Sequence, residues 1–315
     1  MSSLKLKTVT RTQGNNRALK EGTVWPRTSD LEFIEVDPLI SAFRSMVRDL
    51  EFDVCEMALT TYITARDHGK RFSALPIFLV RAFHHGAIVY NTQSGITGPK
   101  DLEGKKVGVN RGYTVTTGLW ARAILQHYYG VDLNSITWVL SGDEHVAEYR
   151  PPSNVISMEK GKQLGDLVKS GELPAAVGLE VEAENVKPLI PHAAEQGFEA
   201  LRRCGHYPIN HLIVVKDQLL ETYPDLAEDI FHAFAKSKRE YVRRLQAGEI
   251  RNPTSVDTMH SRVMEITGRD PLPYGIAPNR QTLDEIIQYA HEQRILQRTE
   301  TVEELFPPST HGLVG

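Results

Sequence analysis

The sequence predicts an α/β fold, on three observations. Short apolar or alternating runs of strand type are followed repeatedly by runs of helical periodicity, which favours a layered α/β architecture. The 315 residues, 41% of them hydrophobic, can bury a large core, and the usual size of domains divides such a length into roughly two. No internal repeat, coiled coil or low-complexity tract interrupts the alternation.

The elements follow in order. Residues 1–22 alternate Leu4, Leu6 and Thr8 with Lys5 and Lys7, then turn polar through Gly14-Asn15-Asn16. Lacking a continuous apolar stretch, they read as a first strand and not as a signal peptide. Residues 31–36 read as a strand, and 38–50 as a helix with Pro38 near its first turn. Residues 52–58 form another strand, with Thr60, Thr61 and Tyr62 opening the next helix. Residues 74–90 are mostly apolar, one long strand or two consecutive ones, with Arg81, His84 and His85 in the middle. From Thr97 the pattern restarts: a strand at Val107, a helix over 120–129, a strand over 136–139, a turn at Pro151-Pro152, a helix over 161–170 and a strand over 173–179. Residues 208–215 are a strand after a Gly/Pro turn. Amphipathic helices dominate from Tyr223, including 227–246 and 282–294.

A net charge of −4 gives no basis for a nucleic-acid surface, so any anion site must be built locally. No segment reaches the roughly 20 apolar residues that cross a bilayer. A soluble, cytoplasmic protein with no membrane partner is expected, and a homo-oligomer is left open. Cys55 and Cys204 cannot form a disulfide framework, and both sit in apolar contexts that suit buried thiols. No Cys/His pair has zinc-finger spacing and no His-x-x-x-His occurs, so no metal is expected, with a divalent ion on several histidines and Glu56 as the minority alternative; no cofactor motif is present either.

The stretch from Lys105 to Thr117 carries the clearest chemistry. A short strand enters a polar, Gly-containing turn ahead of a helix, whose first N–H groups and positive dipole end can seat a carboxylate. Arg111, Tyr113, Thr114, Thr116 and Thr117, with Arg81, are the expected carboxylate-holding set. By itself the turn is equally well explained by a threonine capping the helix.

Several runs resemble the 4,5-dihydroxyphthalate decarboxylase family: Cys55-Glu56-Met57-Ala58-Leu59-Thr60-Thr61-Tyr62, Trp120-Ala121-Arg122-Ala123-Ile124-Leu125, Pro208-Ile209-Asn210-His211 and Pro278-Asn279-Arg280-Gln281-Thr282-Leu283. The phrase Asp101-Leu102-Glu103-Gly104-Lys105-Lys106-Val107-Gly108-Val109 is similar to the start of the second lobe of type II periplasmic binding proteins. The resemblance implies a two-lobed α/β fold with a central cleft, residues 1–88 and 206–315 forming one lobe and 89–205 the other. It also implies a cytoplasmic, cofactor-independent enzyme that removes one carboxylate from a small aromatic dicarboxylate bearing hydroxyls. Two places depart from the family pattern: Phe83-His84-His85 in place of an Arg-His pair, and Asn110-Arg111-Gly112-Tyr113 in place of Pro-Glu-Tyr.

Such chemistry needs a proton donor over the departing carboxylate's carbon, an acceptor for the phenol, and cations for the remaining carboxylate. Glu56, at a strand end before Thr60, is expected as phenol acceptor or proton relay, or else as a carboxylate favoured by a helix start. In an extended segment His84 and His85 face opposite ways, and Arg81 shares a face with His85. The resemblance implies His85 for chemistry, since it matches the family position, with His84 and Thr60 contacting substrate. His211, with a side chain that titrates near neutrality, is the expected proton donor. Glu144-His145 is a secondary loop candidate, His206 is expected in an exposed turn, and the basic run 236–244 reads as a solvated helix face. Two other functions compete: a solute-binding protein for an aromatic or pyrimidine-like anion, and a metabolite-phosphate enzyme, which the lack of a Gly-rich phosphate loop makes weaker.

Overall fold

A computed structural model of the protein describes residues 4–298 and 300–315; residues 1–3 of the expected first strand lie outside the described residues. The chain forms β1 (Leu4–Val9), α1 (Arg17–Lys20), β2 (Ser29–Phe33), α2 (Ile40–Asp49), β3 (Val54–Ala58), α3 (Leu59–Asp67) and β4 (Phe72–Arg81). Next come β5 (Ile88–Asn91), β6 (Lys106–Val109), α4 (Thr116–Tyr129), β7 (Thr137–Leu140), β8 (Val155–Ser157), α5 (Leu164–Ser170), β9 (Ala175–Val177), β10 (Val186–Pro188) and α6 (Ala193–Cys204). β11 (Ile209–Lys216), α7 (Asp217–Thr222), α8 (Leu226–Gln246), α9 (Ser255–Thr267) and α10 (Arg280–Glu292) follow, with short 3-10 turns between elements.

The chain divides into two units, one of Met1–Arg81, Ile209–Ile287 and Glu300–Gly315, the other of Ala82–Pro208 and Gln288–Thr299. The first holds a five-stranded sheet in the order β2-β1-β3-β11-β4. β1 pairs in parallel with β2 and β3, and β11 enters antiparallel between β3 and β4. β3 is buried along its whole length, as expected of a strand with neighbours on both sides and helices over its faces. On α8, Phe231 and Phe234 are fully buried, the apolar stripe that an amphipathic helix turns to its core.

The second unit holds a six-stranded sheet, β10-β5-β9-β6-β7-β8, in which β6 runs parallel to β7 and β9 and β5 runs antiparallel to β9 and β10. The helix α4 is entirely buried from Gly118 to Leu125 and stops at Gly130, whose φ of +65° a glycine adopts without steric cost.

Three expectations are corrected. Residues 74–90 hold two consecutive strands, as one reading had it, but His84 and His85 are not in extended backbone: β4 ends at Arg81, and the two histidines sit in a loop and 3-10 turn before β5. The apolar run conceals this break because the turn itself is buried. Residues 288–299, expected with the first unit, group with the second, since Gln293 hydrogen-bonds Arg122 and Tyr289 packs on Trp120. The run 236–244 is not a plain solvated face: Lys238 is buried against Asp270, and Tyr241 lies in a core cluster with Val242 and Leu272.

Candidate functional site

In the first unit the polar centre is Glu56, a carboxylate with no exposure at all. The register pairs Ile213 with Glu56 and His211 with Ala58, so His211 and Glu56 lie diagonally on one sheet face. There His211 Nδ1 meets Glu56 Oε1 at 2.7 Å. Glu56 Oε2 accepts the Arg11 backbone N–H at 2.9 Å and the Gln13 side-chain amide at 3.3 Å. The Arg11 guanidinium adds a 3.5 Å contact to Oε1. Burial pushes the Glu56 pKa up, but the His211 hydrogen bond and the Arg11 charge outweigh it and leave the carboxyl below its ordinary range. The ionised carboxylate accepts a hydrogen bond from Nδ1–H of His211, which leaves Nε2 without a partner among the described residues. Phe43 packs edge-on against the imidazole, ring centres 5.3 Å apart, and limits its rotation. With both oxygens occupied, Glu56 serves as the partner of His211; the expected role of phenol acceptor does not fit it.

Thr60 is fully buried on the first turn of α3, directly after the strand that carries Glu56. Arg81, also buried, donates to Asn279 Oδ1, while the Asn279 amide donates to the carbonyls of Pro273 (2.9 Å) and Gly275 (2.7 Å). The Pro278-Asn279 run thus has a physical task, holding the Arg81 guanidinium in place. Sequence reasoning missed Arg11, Gln13 and Asn279 as parts of this centre; the polar run after the first strand was the available signal.

In the second unit the turn before α4 is not open. Glu144 occupies it: Oε1 accepts the Tyr113 N–H at 2.5 Å, and Oε2 accepts the Thr114 N–H at 3.2 Å and its hydroxyl at 2.6 Å. The turn does seat a carboxylate, as its geometry suggested, but an internal one. The expected substrate contacts through Tyr113 and Thr114 are corrected accordingly. Beneath the turn lies Arg122, fully buried, donating to the Tyr113 carbonyl (2.7 Å) and Gln293 Oε1 (2.8 Å) and stacked 3.9 Å from the Tyr113 ring centre. Burial lowers its pKa, with Tyr113, Tyr149 and Glu144 acting in opposition. Arg111 is exposed, with a φ of +71°; Thr116 is buried and Thr117 half-buried in the first turn of α4.

His84 and His85 are both buried in this unit. The rings of His85, His206, Tyr128 and Trp120 contact one another edge-on or tilted, with centres 5.6 to 6.3 Å apart. Burial first, then His206 and Arg203, drop the His85 pKa to about 4. His85 is a neutral core imidazole at neutral pH, not a ready acid, and no shared strand face links it to Arg81. His206, expected to be exposed, is buried, and Cys204, expected in an apolar setting, is exposed. Among the described residues no cluster of three or more His, Cys, Asp or Glu side chains is arranged to hold a metal ion, and no helix is long and apolar enough to cross a membrane.

No protein-family model matches the chain. The 4,5-dihydroxyphthalate decarboxylase of Comamonas testosteroni is 28% identical over 327 aligned positions, covering 98% of both chains. The enzyme of the same name from Pseudomonas putida is 32% identical over 170 positions, 51% of this chain and 65% of its own. Among solved structures, the alkanesulfonate-binding protein SsuA of Xanthomonas axonopodis pv. citri bound to MOPS superposes with a TM-score of 0.54 at 10% identity, covering 98% of each chain. The periplasmic aliphatic sulphonate binding protein SsuA of Escherichia coli gives 0.53 at 9% identity, over 99% of this chain and 100% of its own. The desulfurization enzyme DSZB gives 0.53 at 13% identity, over 98% and 97%. At those identities the structures speak for the fold alone. Along its whole length, therefore, the chain is similar to 4,5-dihydroxyphthalate decarboxylase, on the α/β fold of the periplasmic binding proteins.

Proposed function

We propose that the protein is a cofactor-independent decarboxylase of a hydroxylated aromatic dicarboxylate, converting 4,5-dihydroxyphthalate to 3,4-dihydroxybenzoate (protocatechuate). The observation that carries this reading is the Glu56–His211 pair, a buried ionised carboxylate fixing an imidazole whose second nitrogen is unused. The whole-length similarity to enzymes of that name supports it. A cytoplasmic location goes with the reading and suits two cysteines left as free thiols.

In the doubly protonated state, His211 Nε2 delivers its proton to the ring carbon that bears the leaving carboxylate. The hydroxyl para to that carbon supplies the electrons and gives its proton to an acceptor, so the ring becomes a dienone. The carbon–carboxylate bond then breaks, carbon dioxide leaves, and the bonding pair returns to the ring. The phenol regains its proton and His211 is recharged from solvent. Glu56 stabilises the imidazolium, and a positioned acid of this kind contributes about 100- to 10,000-fold. Arg81, held in place by Asn279, binds the carboxylate that stays.

Incubation with a panel of dihydroxylated phthalates tests the reading. Carbon dioxide should be released, with one solvent deuterium at the vacated ring carbon. Tight binding without carbon dioxide would make the protein a solute binder and refute the proposal.

A further inference from the structure

A cavity of about 630 Å³ lies wholly within the first unit. Arg11, Arg81, Arg244, Tyr241 and His260 line it, with apolar wall from Leu79, Val80 and Ile250. Tyr241 reaches it because residue 14 is glycine: a Cβ there would come within 2.2 Å of the ring. The Tyr241 hydroxyl donates to Asp257 Oδ1 at 2.6 Å and lies 2.9 Å from His260 Nδ1. Asp257 is itself fixed by the Thr254 N–H and hydroxyl, each at 2.8 Å, in the capping box that opens α9.

A tyrosine has one proton to give, and Asp257 takes it. His260 must therefore donate from Nδ1, which leaves Nε2 as a lone-pair acceptor. That atom is buried and has no hydrogen-bond partner among the described residues. Burial above all holds the His260 pKa down at about 4, so the ring stays neutral at pH 7. A buried acceptor without a donor is costly, and a ligand that brings a donor recovers that cost. The wall asks for three things at once: an anion for the arginines, an apolar ring for Tyr241 and Leu79, and an O–H for His260.

We propose that this cavity binds the substrate ring, its carboxylate on the arginines and one ring hydroxyl donating to His260 Nε2. The Asp257–Tyr241–His260 chain then selects hydroxylated over bare aromatic acids. The ligand class rests on the decarboxylase reading, while the wall's chemistry stands apart from it. Two links tie the cavity to the Glu56–His211 pair: Arg11 lines it and contacts both residues, and Val80 in its wall is the register partner of His211.

Calorimetric titration with 3,4-dihydroxybenzoate and with benzoate tests this. Wild-type protein should prefer the dihydroxy acid by about tenfold, the worth of one neutral hydrogen bond. His260→Leu should abolish the preference and leave benzoate affinity unchanged, while Arg244→Ala should weaken both acids alike. Because His260→Leu could unfold the protein, histidine ¹⁵N spectra of the wild type give a second readout. The His260 Nε2 resonance should move with 3,4-dihydroxybenzoate and not with benzoate. A preference that survives His260→Leu, or a wild type with no preference, overturns the proposal. Should carbon dioxide release from 4,5-dihydroxyphthalate persist in that case, the decarboxylase reading stands without this cavity. Selective binding without any carbon dioxide release would support the cavity and sink the decarboxylase reading.

Discussion

Acidifying the protein from pH 8 to pH 5 should cost it stability through two histidines, one in each unit. His85 and His260 are both buried, and each has its pKa lowered from 6.5 to about 4, chiefly by burial. Between those values the unfolded chain takes up protons that the folded one refuses. Stability is therefore complete above pH 6.5 and falls as the pH drops toward 4. At pH 5 the linkage amounts to about 2 kcal/mol for each histidine, so about 4 kcal/mol together. Carboxylates held low by the fold, such as Glu56, add to the loss only below the ordinary carboxylate range, which leaves pH 5 to 6.5 to the histidines. Urea unfolding at pH 8, 6.5 and 5, followed by tryptophan fluorescence, reads the effect. His85→Phe and His260→Leu should each remove about half of the pH-dependent loss, whatever either substitution costs at pH 8. A loss of the same size in both variants would refute the reasoning.

Three further outcomes follow from the geometry. His211→Asn should lower turnover by roughly 100-fold or more with little change in ligand affinity, as carbon dioxide release and calorimetry together would reveal. Glu144→Ala strands the N–H groups of Tyr113 and Thr114 and should cost about 1–3 kcal/mol in urea unfolding; a change near zero would mean that water replaces the carboxylate freely. Arg111→Gly relieves a positive φ worth about 1–2 kcal/mol, so the melting temperature should rise by a few degrees.

Much of the fold was legible because the periodicities were clean. The alternation of Leu4, Leu6 and Thr8, the apolar run into Glu56 and the return at Ile209 all became strands where expected. Glu56 and His211 could each be singled out from the sequence, but their hydrogen bond depends on the register between β3 and β11, which no local pattern encodes. The occupation of the Tyr113 turn by Glu144 is likewise a long-range event, joining residues thirty positions apart. His85 misled for a different reason: a buried turn has the composition of a strand. α9 went unread although Thr254 and Asp257 have the spacing of a capping box, and His260 was lost with it.

The insertion of β11 between β3 and β4 also dictates a timetable. A ribosome releases Arg81 some 10 seconds before Ile209, at rates of about 5–20 residues per second. Through that interval β3 keeps an open edge and β4 lacks the strand it pairs with, while the whole stretch from Ala82 to Pro208 is already free to settle. The half-made sheet is a site for mispairing with other nascent chains and a place where a chaperone has work to do. The strand that ends the hazard is the one that brings His211 to Glu56. A chain stalled short of that strand is thus aggregation-prone and lacks the Glu56–His211 pair altogether.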